Sequence, residues 1–554
     1  MHSTLAVPES FTAGETAVLA PYFGNLDQPV FVLTNLPEAV KGALFARYSR
    51  SPKSIRRLFL EEFSDGVERR SDAAGTGAAP GRERAERLYR RVFDQYGDDS
   101  VAQLGGAHIA CEGVSNILTK VLERGRLMSY LEQSTRYVPY TDRPGGRWKY
   151  VVPAELEDES DRRAFEAALD RAFETYARWI EPLQEYFRAR HPQAATDSNA
   201  VYRAVIRAKA LDTLRGLLPA ATRSNVGIYG SGQAYEMLLL RMRAHSLAET
   251  RELADLMLRE LRRVIPAFLQ RVDRPDRGVR WSGYLEACEA ETRALSTAVT
   301  HTPAPESHAE VTLADFDPDG EIKVVAAALY SASELPLDGL LAVARGMTAE
   351  ERIHVLRTYA GTRENRRHRP GRAFEHATYT FDVVSDYGAF RDLQRHRMLT
   401  LDWQELTTRH GHASAPGAIA EVGALADWQR VMDDSAMLYA RLASRCSPAV
   451  AQYAVSMAYR IRFYMRMNAR EAMHVIELRT TPQGHPAYRR VCQRMHRLIA
   501  EEAGHPAIAA AMAFADHSGV ELERLSSERA LDRKRAARHA DAGQECPKDP
   551  GSAF

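Results

Sequence analysis

The chain lacks the features that would mark it as secreted, membrane-spanning or zinc-stapled. Its 554 residues contain five cysteines (Cys111, Cys288, Cys446, Cys492, Cys546), an odd number never spaced as C-x-x-C. That argues against a disulfide framework and a structural zinc site, and fits a reducing cytoplasm. No metal site is expected. No stretch approaches the ~18 consecutive apolar residues that a bilayer span requires. The opening Met1-His2-Ser3-Thr4-Leu5 has no basic segment leading into an apolar run, so no signal peptide is expected. No G-x-G-x-x-G follows a strand candidate, which excludes a Rossmann crossover for a nicotinamide cofactor. Net charge is nearly absent as well: 74 basic residues face 73 acidic ones, which disfavours a general nucleic-acid or membrane adhesive. Lysine is scarce, eight against 66 arginines. The plain reading of that bias is genomic base composition. The sharper reading is that some of these arginines grip phosphate or a delocalised anion, where a planar fork outperforms an ammonium.

What remains is the balance of a soluble, well-cored protein, 45% hydrophobic and 27% charged. The length suggests roughly two to four domains. Residues 66–86 are rich in Gly, Ala and charge and read as a mobile insertion. Residues 272–320 hold Pro275, Pro303, Pro305 and Pro318 and read as a linker between two halves, 1–271 and 321–525. Residues 526–554 read as a frayed tail. Segments 160–190, 233–270 and 430–475 show helical apolar spacing. Strand candidates are few: Val30–Leu33 and Lys323–Val325. A mostly helical chain with a minor sheet component is expected.

The halves share a motif. Arg124-Gly125-Arg126 is followed three residues on by Ser129, then by Glu132-Gln133-Ser134-Thr135-Arg136. Arg395-His396-Arg397 is followed by Thr400 and then, with two extra residues between, by Glu405-Leu406-Thr407-Thr408-Arg409. Duplication is the simplest explanation. So many charges make a poor core helix. An exposed amphipathic helix with i,i+4 ion pairs would account for one copy, but its recurrence weakens that account. Arginine with Ser/Thr donors and backbone N–H groups forms a phosphate cradle, and Arg-His-Arg would stabilise negative charge on a ring or carbonyl oxygen.

Arg-His-Arg, seven residues and then Ser is the signature of the flavin-dependent thymidylate synthases, and the chain resembles that family. The first segment matches the signature's length and ending, with Gly125 for histidine; the second matches its beginning. Glu375-His376 with Thr380-Phe381 resembles the family's E-H-x-x-F-T-F strand. Asn468-Ala469-Arg470 with Leu478-Arg479 resembles its N-A-R…L-R helix, and Arg215 to Pro219 its R-x-x-L-P segment. The first half departs from the flavin side of the pattern, with Gln103-Leu104, Gly125 and Gly232. The second departs from the nucleotide side, with Gln452 near the place of the missing arginine, and Thr407 and His410 ending its signature. These losses are complementary, as expected if one half keeps the nucleotide side of a composite site and the other the flavin side.

The resemblance implies two tandem helix-rich α+β units of the thymidylate-synthase-complementing type, docked as a pseudo-dimer. It also implies a homodimer of this chain that mimics the family's homotetramer. In that family FAD is reduced by NADPH and methylenetetrahydrofolate supplies a one-carbon unit to C5 of dUMP without a cysteine nucleophile, and the resemblance implies the same here. Glu132, Gln133, Ser134, Thr135, Arg136, Arg215, Arg395 and Arg479 would bind nucleotide, with Arg479 catalytic through the deprotonated uracil. His376, Arg395, His396, Arg397, Asn468, Arg470 and His474 would hold flavin, a core role for His474 being equally open. Trp403 reads as packing and the Arg366–Arg369 run as a solvated loop. The same chemistry on another pyrimidine nucleotide, or a non-catalytic flavin- or nucleotide-binding relic, stays open as an alternative.

Overall fold

The structure is a computed structural model that describes residues 9–48, 51–64, 103–195, 197–300 and 309–519. The expected insertion at 66–86 and tail at 526–554 lie outside the described residues. The fold is α+β and rich in helix, with two small sheets. The chain divides into two compact units. Unit 1 comprises residues 1–112, 125–132 and 225–301; unit 2 comprises 113–124, 133–224 and 302–554.

Unit 1 is built on a three-stranded sheet in the order β1-β3-β2, from β1 (Gly106–Ser115), β2 (Met128–Glu132) and β3 (Arg223–Ser231). β2 and β3 are antiparallel, with Met128 opposite Gly230 and Glu132 opposite Val226. Alternate β3 residues are buried, as the period of a half-buried strand requires. Ser231 caps the following helix, Gly232–Arg243, by accepting from Ala234 N. Gly232 sits at the start of that helix because Phe268 lies across it: an added Cβ would meet the Phe268 ring and its Cβ at 2.5–2.8 Å.

Unit 2 carries the four-stranded antiparallel sheet β4-β5-β7-β6, from β4 (Val311–Phe316), β5 (Thr378–Asp386), β6 (Thr400–Trp403) and β7 (Arg460–Asn468). Ile461, Phe463, Met465 and Met467 of β7 point into the core, while arginines alternate with them. Three helices of this unit bear on the site. Glu159–Arg190 is capped by Asp158, with acidic residues in its first turn and arginines in its last, as the helix dipole favours. It packs on Leu425–Arg445, whose buried stripe runs through Trp428, Val431, Met432, Leu438 and Leu442. Asp161 receives both Arg441 and Arg445 at 2.6 and 2.7 Å. The third helix, Asn199–Leu214, runs into a 3-10 turn at Arg215–Leu217. There the Arg215–Pro219 segment zips onto its counterpart in the second half: Ala220 N donates to Val455 O at 2.8 Å, Met457 N to Leu218 O at 2.9 Å, and Ala458 N to Gly216 O at 3.0 Å.

Several sequence expectations need correction. Val30–Leu33 is not a strand: Leu33 makes an isolated bridge to Phe23, and Val30 and Val32 are exposed with no sheet to join. Lys323–Val325 lies inside the helix Gly320–Tyr330, where the following alanines and the burial of Val324 and Val325 outweigh their β-branching. The segment 272–320 holds a helix, Gly278–Val299, and also β4. Residues 430–475 are not one helix: after Arg445 the chain makes short turns, then β7, then the helix Ala469–Arg479. Alternation of apolar and polar residues through 460–468 sets the period of that strand.

Candidate functional site

Arg136, Arg215, Arg395, Arg397, Arg470 and Arg479 of the motif segments lie in unit 2, on four short pieces of chain. The first is the turn after β2, where Ser134 Oγ accepts from Arg136 N at 3.2 Å. The second is the end of the Asn199–Leu214 helix, which presents Asp212 and Arg215 one turn apart. The third is the helix Tyr387–Leu393, capped by Asp386, and its continuation to Arg397. The fourth is the helix Ala469–Arg479, capped by Asn468, whose Oδ1 accepts from Glu471 N at 2.9 Å.

Two carboxylates gather the arginines. Asp392 is met by Arg395 at 2.5 Å, Arg479 at 3.6 Å and Arg215 at 3.6 Å. Asp212 is met by Arg136 at 3.0 Å and Arg215 at 3.7 Å, with His485 Nε2 at 3.9 Å. Arg136 also donates to Tyr488 OH at 3.4 Å and to Gln483 O at 3.1 Å. Arg479 lies 5.5 Å from the centre of the same Tyr488 ring. Gly388 leaves room for this: a Cβ there would approach Arg215 Nε and Nη2 at 3.0 Å. Arg136, from the first half, and Arg479, from the second, thus share one cluster. Arg215 Nη2 is buried and makes no hydrogen bond among the described residues.

The electrostatics follow from burial and neighbours. Burial alone would raise Asp392, but Arg395, Arg479, Arg215 and Arg136 hold it far below the usual carboxylate range. Asp212 is likewise lowered against its burial, by His485, Arg136 and Arg215. Burial, with Arg215 next, pushes His485 down to about 3. His396 is driven well below its ordinary value by burial, Arg479 and His474. Both imidazoles are therefore neutral near pH 7. Four guanidiniums against two carboxylates leave this cluster with an excess of two positive charges.

The other expected site residues are distributed as follows. Thr135 is buried and accepts from Arg391 Nη1 at 3.4 Å. Gln133 and Ser134 are partly buried. Glu132 is buried at the end of β2, in unit 1. His396 Nε2 receives Arg479 Nε at 2.9 Å, and its ring centre lies 5.5 Å from that of His474. His474, pushed down to about 4 by burial and Arg369, meets Arg369 Nη2 at 3.2 Å through Nδ1. Arg470 pairs with Glu375 at 3.2 Å and donates to Pro370 O. His376 and Arg397 are exposed. Trp403 packs on Phe390 with the rings tilted, and Arg124 lies over its ring. The Arg366–Arg369 run is exposed, although Arg369 turns back to His474.

Sequence reasoning missed Asp212, Asp392, Glu471, His485 and Tyr488. Two of them left a signal: Asp212/Arg215 and Asp392/Arg395 both have the i,i+3 spacing of a helical ion pair. His396, Glu471 and His474 also bring three donor atoms within 4.8 Å of one another. The ring nitrogens that Arg479 and Arg369 approach, and the surrounding guanidiniums, make this trio a poor cation site.

Residues 43–267 and 312–505 each match the family described as thymidylate synthase complementing protein. A protein of Chlamydia muridarum named UPF0159 is 37% identical over 94% of this chain and 98% of its own length. A UPF0159 protein of Thermoplasma acidophilum is 31% identical over 88% of this chain and 97% of its own. A flavin-dependent thymidylate synthase of Mycobacterium tuberculosis is 32% identical over 32% of this chain and 66% of its own. Among solved structures, a UMP/dUMP methylase, PolB from Streptomyces cacaoi bound with 5-Br dUMP, is similar at 20% identity. It covers 36% of this chain and 94% of its own, with a TM-score of 0.28. Matched twice in tandem over most of its length, the chain belongs to the thymidylate synthase complementing protein family.

Proposed function

We propose that the chain is a flavin-dependent thymidylate synthase, methylating C5 of dUMP with methylenetetrahydrofolate as one-carbon donor, FAD as cofactor and NADPH as reductant. The observation that carries this reading is the meeting of Arg136 and Arg215 with Arg395 and Arg479 around Asp212 and Asp392. Its excess of two charges suits a phosphate monoester dianion, and the open Arg215 Nη2 supplies a donor for it.

Within this reading each group has a task. Arg136 and Arg215 bind the phosphate, with Ser134 shaping the turn that presents Arg136. Arg479 faces the uracil edge, where a permanent cation stabilises the charge that makes C5 nucleophilic. Its planar orientation is set on one side by His396 and on another by Tyr488. Bound FAD supplies hydride. Arg395, His396, Asn468, Arg470 and His474 would hold it, with His376 and Arg397 at the exposed rim. The fit rests on a neutral, buried His396 beside cations, a setting that receives an electron-rich ring. Two buried thiols are unsuited to act as nucleophiles: burial pushes Cys111 up to about 11 and Cys492 up to about 12.

The test is dUMP-stimulated oxidation of NADPH by the purified protein with FAD, together with rescue of a thymidine-requiring bacterium. Protein that takes up no FAD refutes the reading and leaves a relic. Protein that binds FAD but responds to a different pyrimidine nucleotide transfers the chemistry to that substrate.

A further inference from the structure

Glu471 is a buried carboxyl to which the mechanism above gives no task. It is 8% exposed, and its Oε1 lies 3.7 Å from His396 Nδ1. The other ring nitrogen, Nε2, receives Arg479 Nε at 2.9 Å. A guanidinium has donors only, so Nε2 must present a lone pair. The ring is neutral, so its single proton must sit on Nδ1, the nitrogen that faces Glu471. Carboxyl, imidazole and guanidinium therefore form a chain with one consistent direction of donation, open by less than an ångström at the Glu471 end.

We infer that Glu471 is a positioning residue whose carboxylate accepts the His396 Nδ1 proton, fixes that tautomer and so aims Arg479 at the nucleotide base. The inference rests on the nucleotide role proposed for Arg479. A metal reading of the same side chains is disfavoured, because His396 Nε2 already accepts from Arg479 and His474 Nδ1 lies against Arg369.

The surroundings of Glu471 give the chain a pH dependence. On its own helix stand Arg470 and His474; facing it are Arg369, ahead of β5, and His396 and Arg397, after the Tyr387–Leu393 helix. Burial outweighs the three arginines and raises the carboxyl to about 7. A carboxylate accepts the Nδ1 proton more strongly than a carboxylic acid does. The chain tightens as pH rises through 7 and slackens below it.

The experiment compares the full-length wild type with Glu471→Gln and Glu471→Ala. The readouts are ¹⁵N NMR of histidine-labelled protein, with His396 assigned through a His396→Gln control, and the pH profile of kcat. The amide of Glu471→Gln still accepts the Nδ1 proton, so the tautomer should persist while the limb of kcat near pH 7 disappears. Glu471→Ala should let the His396 ring turn away from Arg479, giving a mixture of tautomers in place of Nδ1–H alone, and lose about ten- to hundredfold in kcat through misaimed Arg479, with flavin content unchanged. An Nε2–H tautomer in the wild type, or an alanine variant with wild-type tautomer and profile, would overturn the inference. So would stoichiometric binding of zinc alone that Glu471→Gln abolishes. If the wild type proves inactive, the tautomer in wild type and Glu471→Ala still decides whether Glu471 orders His396, and the inactivity counts only against the proposed reaction.

Discussion

At the scale of single residues, the cluster is a balance of like charges held close by two acids. Arg136 and Arg479 come from different halves yet approach the same tyrosine. Replacing either with alanine should weaken dUMP binding or turnover about ten- to hundredfold, the value of a charge-assisted contact. Isothermal titration and steady-state kinetics measure this, and wild-type turnover in Arg136→Ala would remove the first half from the site. Asp392 tests the balance from the other side. Its folded-state pKa is depressed, so it contributes stability that is present above its unfolded value near 4 and is lost as pH falls toward the folded one. Asp392→Asn leaves guanidiniums without their counter-charge and should cost about 3–5 kcal/mol at pH 7. Its stability should also decline less than the wild type's on acidification below about pH 4. Urea melts across pH give both. Asp392 was readable only as the i,i+3 partner of Arg395: nothing in sequence says that the same carboxylate will also meet Arg215 and Arg479.

At the scale of elements, the motifs made β5 and the helix after Asn468 legible, and the other strands were not. Asn468 ahead of Ala469-Arg470 carries the polar side chain and spacing of a helix start, and the cap is there. β7 was hidden because its arginines, at 460, 462 and 466, resemble a solvated helix face when read with a wide window. β1 and β3 gave little contrast, since glycine and small residues in them are selected by close packing, as where Gly106 lies under Gly230 O. The same packing explains two departures from the family pattern. An added Cβ at Gly125 would meet Tyr130 OH at 2.6 Å, and one at Gly232 would meet Phe268. Restoring the pattern with Gly125→His or Gly232→Arg should therefore destabilise the protein by about 1–3 kcal/mol through overpacking, without adding a flavin site. Thermal denaturation and flavin content test this; a stable variant with extra flavin would contradict it.

At the scale of the whole molecule, duplication was legible because the motif recurs in order, whereas the grouping into compact units was not. Unit 2 takes residues 113–124 and 133–224 from the first half together with the second half, an arrangement set by packing such as that of Glu159–Arg190 on Leu425–Arg445. One composite cluster per chain predicts that dUMP saturates at one equivalent per chain. Two equivalents by equilibrium dialysis would mean a second site of independent construction.

The ring of Phe268 over Gly232 has a consequence for descent. A lone reversal at position 232 collides with the phenylalanine, and a lone shrinkage of the phenylalanine opens a void, so each first step backward is penalised. On the proposed division of labour this works as a ratchet for the first copy: with the ring over the bare backbone, an arginine cannot return to position 232 unless the phenylalanine gives way as well.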